Sequence, residues 1–120
     1  MDTPVILEIS TILKEKGYNK PCTHYYYNNI LESSVADNWN DLNGCSAPTI
    51  SEVVMWLYDN YKIWISVEVD INGFFNYYVT KYNPTDKAWE IKETSLMNKT
   101  DKTPTGGYFG AILFAIKNLI

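Results

Sequence analysis

The sequence predicts an α+β fold: an antiparallel meander of about three strands plus an N-terminal hairpin, with about three helices packed on it. Three observations carry the prediction. The stretch Ala47 to Val69, APTISEVVMWLYDNYKIWISVEV, holds a helix start, an amphipathic helix, a break and an alternating strand. Asn72-Gly73 is the strongest hairpin signal in the chain and separates two runs of strand character. The closing segment YFGAILFAIKNLI is apolar almost all the way round a helix, which places it in a core or at an interface.

The elements follow in order. Thr3-Pro4 reads as an N-cap with proline at the first helical position. Val5, Ile6, Ile9, Ile12 and Leu13 recur at helical spacing, and Gly17 suits a left-handed stop, so a first helix is expected over about 3–16. Residues 23–34, THYYYNNILESS, read as a hairpin turning at Asn28-Asn29, because Asn tolerates positive φ. Residues 35–46, VADNWNDLNGCS, show no period and read as a loop. Loops of that length in compact domains are often functional, and Trp39 within this one needs a packing partner.

Thr49-Ile50-Ser51-Glu52 fits the capping box, in which the Thr hydroxyl and the Glu carboxylate each satisfy a free N–H. Ile50, Val53, Val54, Leu57 and Tyr61 form one helix face, which Met55, Trp56 and Tyr58 widen. Ile63, Ile65, Val67 and Val69 then alternate with Trp64, Ser66, Glu68 and Asp70. Phe74 to Tyr82 returns, with Phe75, Tyr77 and Val79 on one face and Tyr78, Thr80 and Tyr82 on the other. After a turn at Asn83-Pro84-Thr85-Asp86, Trp89 and Ile91 mark a third strand with Glu90 and Lys92 outward. Residues 94–107, which include Asn98, Lys99 and Asp101, read as a loop ahead of the final helix. The helices from Thr49 and Gly107 are expected on the Ile63/Ile65/Val67 face, with the first helix and hairpin extending or covering the rest. The 120 residues read as one domain, 1–120.

Composition narrows the function classes. The chain is 15% aromatic, with ten Tyr, four Trp and four Phe. Tyrosine combines apolar area with a polar tip and is enriched where surfaces meet other molecules. A net charge of −4 argues against a partner that is tracked along its phosphates, so nucleic acid is not expected. It leaves room for a small anion held by local donors. The start MDTPVILEIS lacks a basic n-region, so a cytoplasmic protein with reduced Cys22 and Cys45 is expected. No apolar run approaches the length of a membrane span.

No catalytic, metal or cofactor site is expected. His24 with Cys22 and Cys45 offers three ligands without the paired spacing of structural zinc. The carboxylates are scattered over solvent faces, and no pair is marked for acid–base work. Two groups remain as binding candidates. Thr105, Gly106 and Gly107 precede the final helix and have the ingredients of an anion-binding helix start, without a P-loop's spacing. Trp64, Tyr78 and Tyr82 share the polar face of the meander and suit a second packed layer, a subunit interface or a ligand pocket.

The segments ILKEKGY, HYYYNN, APTISEVVMWLYDNY, KIWISVEV and the terminal AIKNLI together resemble small proteins of phages and prophages of gut Bacteroidetes-type bacteria. The resemblance covers most of the chain, and its motifs are structural. Gly106, Gly107 and Gly110 depart from it, standing where a more acidic helix start is usual. It implies an accessory protein acting inside a bacterial host and carries over no catalytic residue. The expectation is a non-enzymatic homo-oligomeric binder, in its sharpest form an anti-defence sponge for a nucleotide-derived immune signal of the host. The alternative is an adaptor or inhibitor that docks on a host protein through its aromatic face.

Overall fold

The computed structural model describes residues 2–95 and 101–120. The order of elements is α1 (Leu7–Glu15), β1 (Cys22–Tyr27), β2 (Ile30–Asp37), β3 (Gly44–Ser46), α2 (Ile50–Tyr61), β4 (Ile63–Val69), β5 (Phe75–Asn83), β6 (Ala88–Thr94) and α3 (Pro104–Asn118). The fold is α+β with two three-stranded antiparallel sheets. The chain forms two compact units, Met1–Glu52 and Val53–Ile120, which divide within α2.

In the first unit, α1 begins at Leu7 rather than near Thr3. Pro4 instead forms an antiparallel bridge with Thr49. Val5 N–H donates to the Pro48 carbonyl at 2.9 Å, and Ile50 N–H donates to the Thr3 carbonyl at 3.0 Å. Proline's fixed φ suits extended backbone as well as a first helical turn. The bridge satisfies two N–H groups that a local cap would leave to water. Gly17, at φ +86, ends the helix as its sequence suggests.

The hairpin turns at Asn28 and Asn29, whose φ values of 49 and 66 give both the left-handed backbone of a primed turn. The loop expected over 35–46 is shorter. β2 runs on to Asp37, and β3 pairs with the other side of β1, matching Tyr25 with Ser46 and Tyr26 with Cys45. The sheet order is therefore β2-β1-β3. A three-residue strand has too few positions for a polarity period to show. Val5, Ile9, Leu13, Tyr18, Cys22, Cys45 and Ile50 are buried in this unit.

At the start of α2 the capping box closes as expected. Thr49 N–H donates to Glu52 Oε1 at 3.0 Å, and Glu52 N–H donates to Thr49 Oγ1 at 3.2 Å. Lys62, at φ 53, breaks the chain out of α2 and into β4. The second sheet is the predicted meander, in the order β4-β5-β6. Its first turn is wider than a two-residue Asn-Gly loop: Asp70 Oδ1 accepts from the N–H groups of Asn72 and Phe74, and Gly73 takes φ +83.

Two expectations in this unit are corrected. α3 begins at Pro104, capped by Thr103, whose Oγ1 accepts from Gly106 N–H at 3.1 Å. Thr105, Gly106 and Gly107 thus lie inside its first turns rather than ahead of it. The expected loop's Asn98 and Lys99 lie outside the described residues. On β6 the faces are reversed, with Trp89 and Ile91 47% and 63% exposed. Pairing sets Trp89 beside Tyr82 and Ile91 beside Thr80, which puts both on the Thr80/Tyr82 face. Alternation shows which residues share a face, but the register across the Asn83 turn decides which face is covered.

α3 covers the opposite face, over Ile63, Ile65, Val67 and Val79. A Cβ on Gly107 would stand 3.0 Å from Val67 Cγ1, and one on Gly110 would stand 3.1 Å from the Tyr77 ring. The glycines let the helix axis come down onto the strands. Val67 is β-branched and cannot swing aside. Gly107→Val is therefore expected to lower unfolding stability by about 2 kcal/mol, the usual cost of overpacking, despite valine's better helix propensity. Urea denaturation followed by far-UV circular dichroism measures it, and an unchanged midpoint would refute the close contact.

Candidate functional site: an aromatic row on the open face of the meander

The face of the meander opposite α3 carries a connected row of rings. Trp64 projects from β4, Tyr82 from β5 and Trp89 from β6, while Tyr58 reaches in from the last turn of α2. Tyr58 meets Trp64 edge-on at 5.7 Å between centroids and lies parallel to Trp89 at 6.2 Å. Trp89 meets Tyr82 at 5.5 Å. These separations lie within the range of attractive ring pairs, so each ring fixes the next. The row remains open, with Trp64 42% and Trp89 47% exposed. The Lys62 ammonium stands 4.6 Å from the centre of the Tyr58 ring, which puts a positive charge against the ring that joins Trp64 to Trp89.

Each ring has a local reason for its place. Trp64 is set outward by the alternation that buries Ile63 and Ile65. Trp89 is the register partner of Tyr82. Tyr58 lies one helical turn before Tyr61 and just ahead of the left-handed Lys62, whose carbonyl accepts from Tyr82 N–H at 3.0 Å. The sharp exit from α2 therefore folds the end of that helix back toward β5. α2 was expected on the Ile63/Ile65/Val67 side, yet its Tyr58 reaches the rings of the other face.

The predicted candidates are placed as follows. Trp64 and Tyr82 belong to the row. Tyr78 is on the same face, opposite Ser66 and Thr94 in register, and joins none of these ring pairs among the described residues. Thr105, Gly106 and Gly107 are elsewhere, at the start of α3. There Gly106 N–H is bonded to the Thr103 hydroxyl and Gly107 N–H to the Thr103 carbonyl at 3.3 Å. The Asp101 carboxylate lies 2.7 Å from where a Gly106 Cβ would stand. An internal anion thus already stands at the positive end of this helix. Sequence reasoning missed Tyr58, Trp89 and Lys62 as members of the row. The signal for Trp89 was its spacing from Asn83, which pairs it with Tyr82.

A row of this kind offers flat apolar faces edged by hydroxyl and indole N–H groups. It can stack on a planar ring, and its ammonium can meet a negative group. Among the described residues no group of three His, Cys, Asp or Glu side chains could hold a metal ion. No helix among them is long and apolar enough to cross a membrane. No protein-family model matches the chain, and no curated protein or solved structure does so at a significant level.

The two thiols are free and buried in the first unit. Burial, then the charge of Glu52, pushes Cys22 from an ordinary 9.0 up to about 11, against the smaller effect of hydrogen bonds with Tyr18 and Ser46. Burial also raises Cys45. Only the thiolate reacts readily, so both are expected to be inert to a disulfide reagent at about pH 8 in the folded protein and to react fully in denaturant. The unfolded chain gives up the Cys22 proton first. The thiol's contribution to stability is thus fully present below pH 9.0 and is lost as the pH rises to about 11. Thermal melts across that range check the sign.

Proposed function

We propose that the protein is a non-catalytic binding protein whose ligand stacks on the Trp64–Tyr58–Trp89–Tyr82 row. The observation that carries the reading is that four rings from three strands and a helix form one connected surface while both tryptophans stay open. Rings fixed by one another lose little freedom on binding. The ligand class that fits is a nucleotide: a base has a flat face for the row, and a phosphate has the Lys62 ammonium as partner. Together with the resemblance to phage accessory proteins, this supports a cytoplasmic sponge that withdraws a nucleotide-derived immune signal in a bacterial host. Stacking of a base on an aromatic side chain contributes about 1–3 kcal/mol, so Trp89→Ala is expected to weaken binding roughly tenfold or more. Titration calorimetry against cyclic dinucleotides and ADP-ribose derivatives tests this. Absence of heat with every nucleotide would sink the reading, and turnover of the ligand would make the protein an enzyme.

The expected homo-oligomer has its own support, at β2. Ile30, Leu31 and Val35 are 61%, 45% and 73% exposed, and all eight residues of this edge strand face solvent. In a two-residue hairpin the residues flanking the turn bond to each other, so Leu31 and Ser33 aim their backbone groups away from β1. A second copy of β2, antiparallel and centred on Ser33, would oppose Leu31 to Val35 and Glu32 to Ser34 without placing like charges opposite each other. The partner this edge fits is therefore another copy of the chain. The apolar positions of α3, from which an oligomer was expected, are buried or half-buried. Light scattering is expected to give a dimer that Val35→Lys converts to a monomer. A monomer before substitution would remove the proposal.

A further inference from the structure

A second aromatic site lies in the first unit, and it does not rest on the reading of the row. Tyr25 and Tyr27 project from the same face of β1, two residues apart. Glu32 on β2 pairs in register with Tyr25. The segment 38–43 closes over them with Trp39 and Asp41. Together with Gly44 these residues line a cleft of about 350 Å³. That volume falls at the small end of ligand sites.

Trp39 is fixed as one wall of the cleft. Trp39 stacks on Tyr25 at 4.5 Å with 21° between the planes. Its indole N–H donates to the Cys22 carbonyl at 2.8 Å, and its backbone N–H donates to Ser46 Oγ at 2.9 Å. Asn40 ties the same segment down, donating to the Tyr18 carbonyl at 2.8 Å and accepting from Ser46 N–H at 2.9 Å. Asp41 Oδ1 accepts from Asn43 N–H at 2.9 Å. With its N–H engaged, Trp39 has only its π surface left to offer a ligand.

The chemistry of the walls selects the ligand. The lining residues are three aromatic rings, two carboxylates and Gly44, with no cation among them, a set that favours a positive group. The nearest ammonium, on Lys14, donates to the carbonyl oxygens of Asp41 and Gly44 and lines a separate cleft with Thr11 and Cys45. A methylated ammonium carries its charge on an apolar surface that rings can enclose. We propose that the Tyr25/Tyr27/Trp39 cleft, with Glu32 and Asp41, binds a quaternary ammonium group, as in choline or trimethyllysine.

Choline chloride titrated into the full chain, followed by tryptophan fluorescence and calorimetry, tests this, with sodium chloride as the blank. Saturable binding with a dissociation constant on the order of 1 mM or tighter is expected. The uncharged carbon isostere 3,3-dimethylbutan-1-ol is expected to bind at least about tenfold more weakly, since the cation–π attraction needs the charge. Free trimethyllysine, as a second arm, shows whether the cleft also takes the group on a side chain. Glu32→Gln, isosteric and on an exposed strand, is expected to weaken choline binding severalfold with an unchanged circular dichroism spectrum. Trp39→Leu is expected to abolish it, and Trp64→Leu in the other unit to leave it intact. Equal binding of choline and its isostere, or no saturation by about 50 mM, would overturn the proposal.

Discussion

The contact on which the second unit depends is the descent of α3 onto the meander through Gly107 and Gly110. With the glycines against Val67 and Tyr77, the helix comes close over a face on which Ile63, Ile65 and Val79 are at most 2% exposed. A sheet of three strands has only two faces, and one helix covers one of them. The other is left with whatever its register supplies. Here the register supplies Trp64, Tyr82 and Trp89, and the left-handed turn at Lys62 adds Tyr58. The aromatic row is thus the complement of the helix–sheet contact, and each is fixed by the same strand alternation.

The first unit solves a different problem. Its third strand has only three residues, and its core is small. Much of its order comes from polar side chains bonded to backbone: Asn38, Asp41 and Ser46 accept from N–H groups of the segment between β2 and β3, and Asn40 accepts from Ser46 N–H in β3. Such local bonds replace a strand ladder where the chain must turn repeatedly. They also hold Trp39 in one place, which turns an otherwise irregular segment into the wall of a cleft.

Much of the secondary structure was legible because its signals are local. The capping box at Thr49, the Asn28-Asn29 turn, the stop at Gly17 and the alternation of β4 each depend on residues within a few positions of one another. The misreadings share one cause. Pro4 pairs with Thr49, β3 pairs with β1, and Trp89 faces the open side because of its partner Tyr82. The first two join residues distant in sequence, the third is set by the register across the Asn83 turn, and the polarity period along one strand encodes none of them. The candidate site was half legible for the same reason. Trp64 and Tyr82 stand out on the polar side of alternating strands, whereas Tyr58 enters only through the turn that follows its helix.

The final helix separates the two kinds of information. Its apolar character and its glycines are properties of the sequence, as are its proline and the threonine that caps it. They require a helix that buries most of its surface, and nothing more. Whether Gly106 and Gly107 meet a ligand or a protein neighbour is not a local property. In the folded chain Gly107 lies against Val67, and the Asp101 carboxylate stands beside Gly106. By itself the sequence determined the α+β class, the capping box at Thr49 and the turn at Asn28-Asn29, because bonds among near neighbours set them. Only the tertiary structure decided which sheet face is covered and which rings meet, because register and helix docking are set by contacts across the chain.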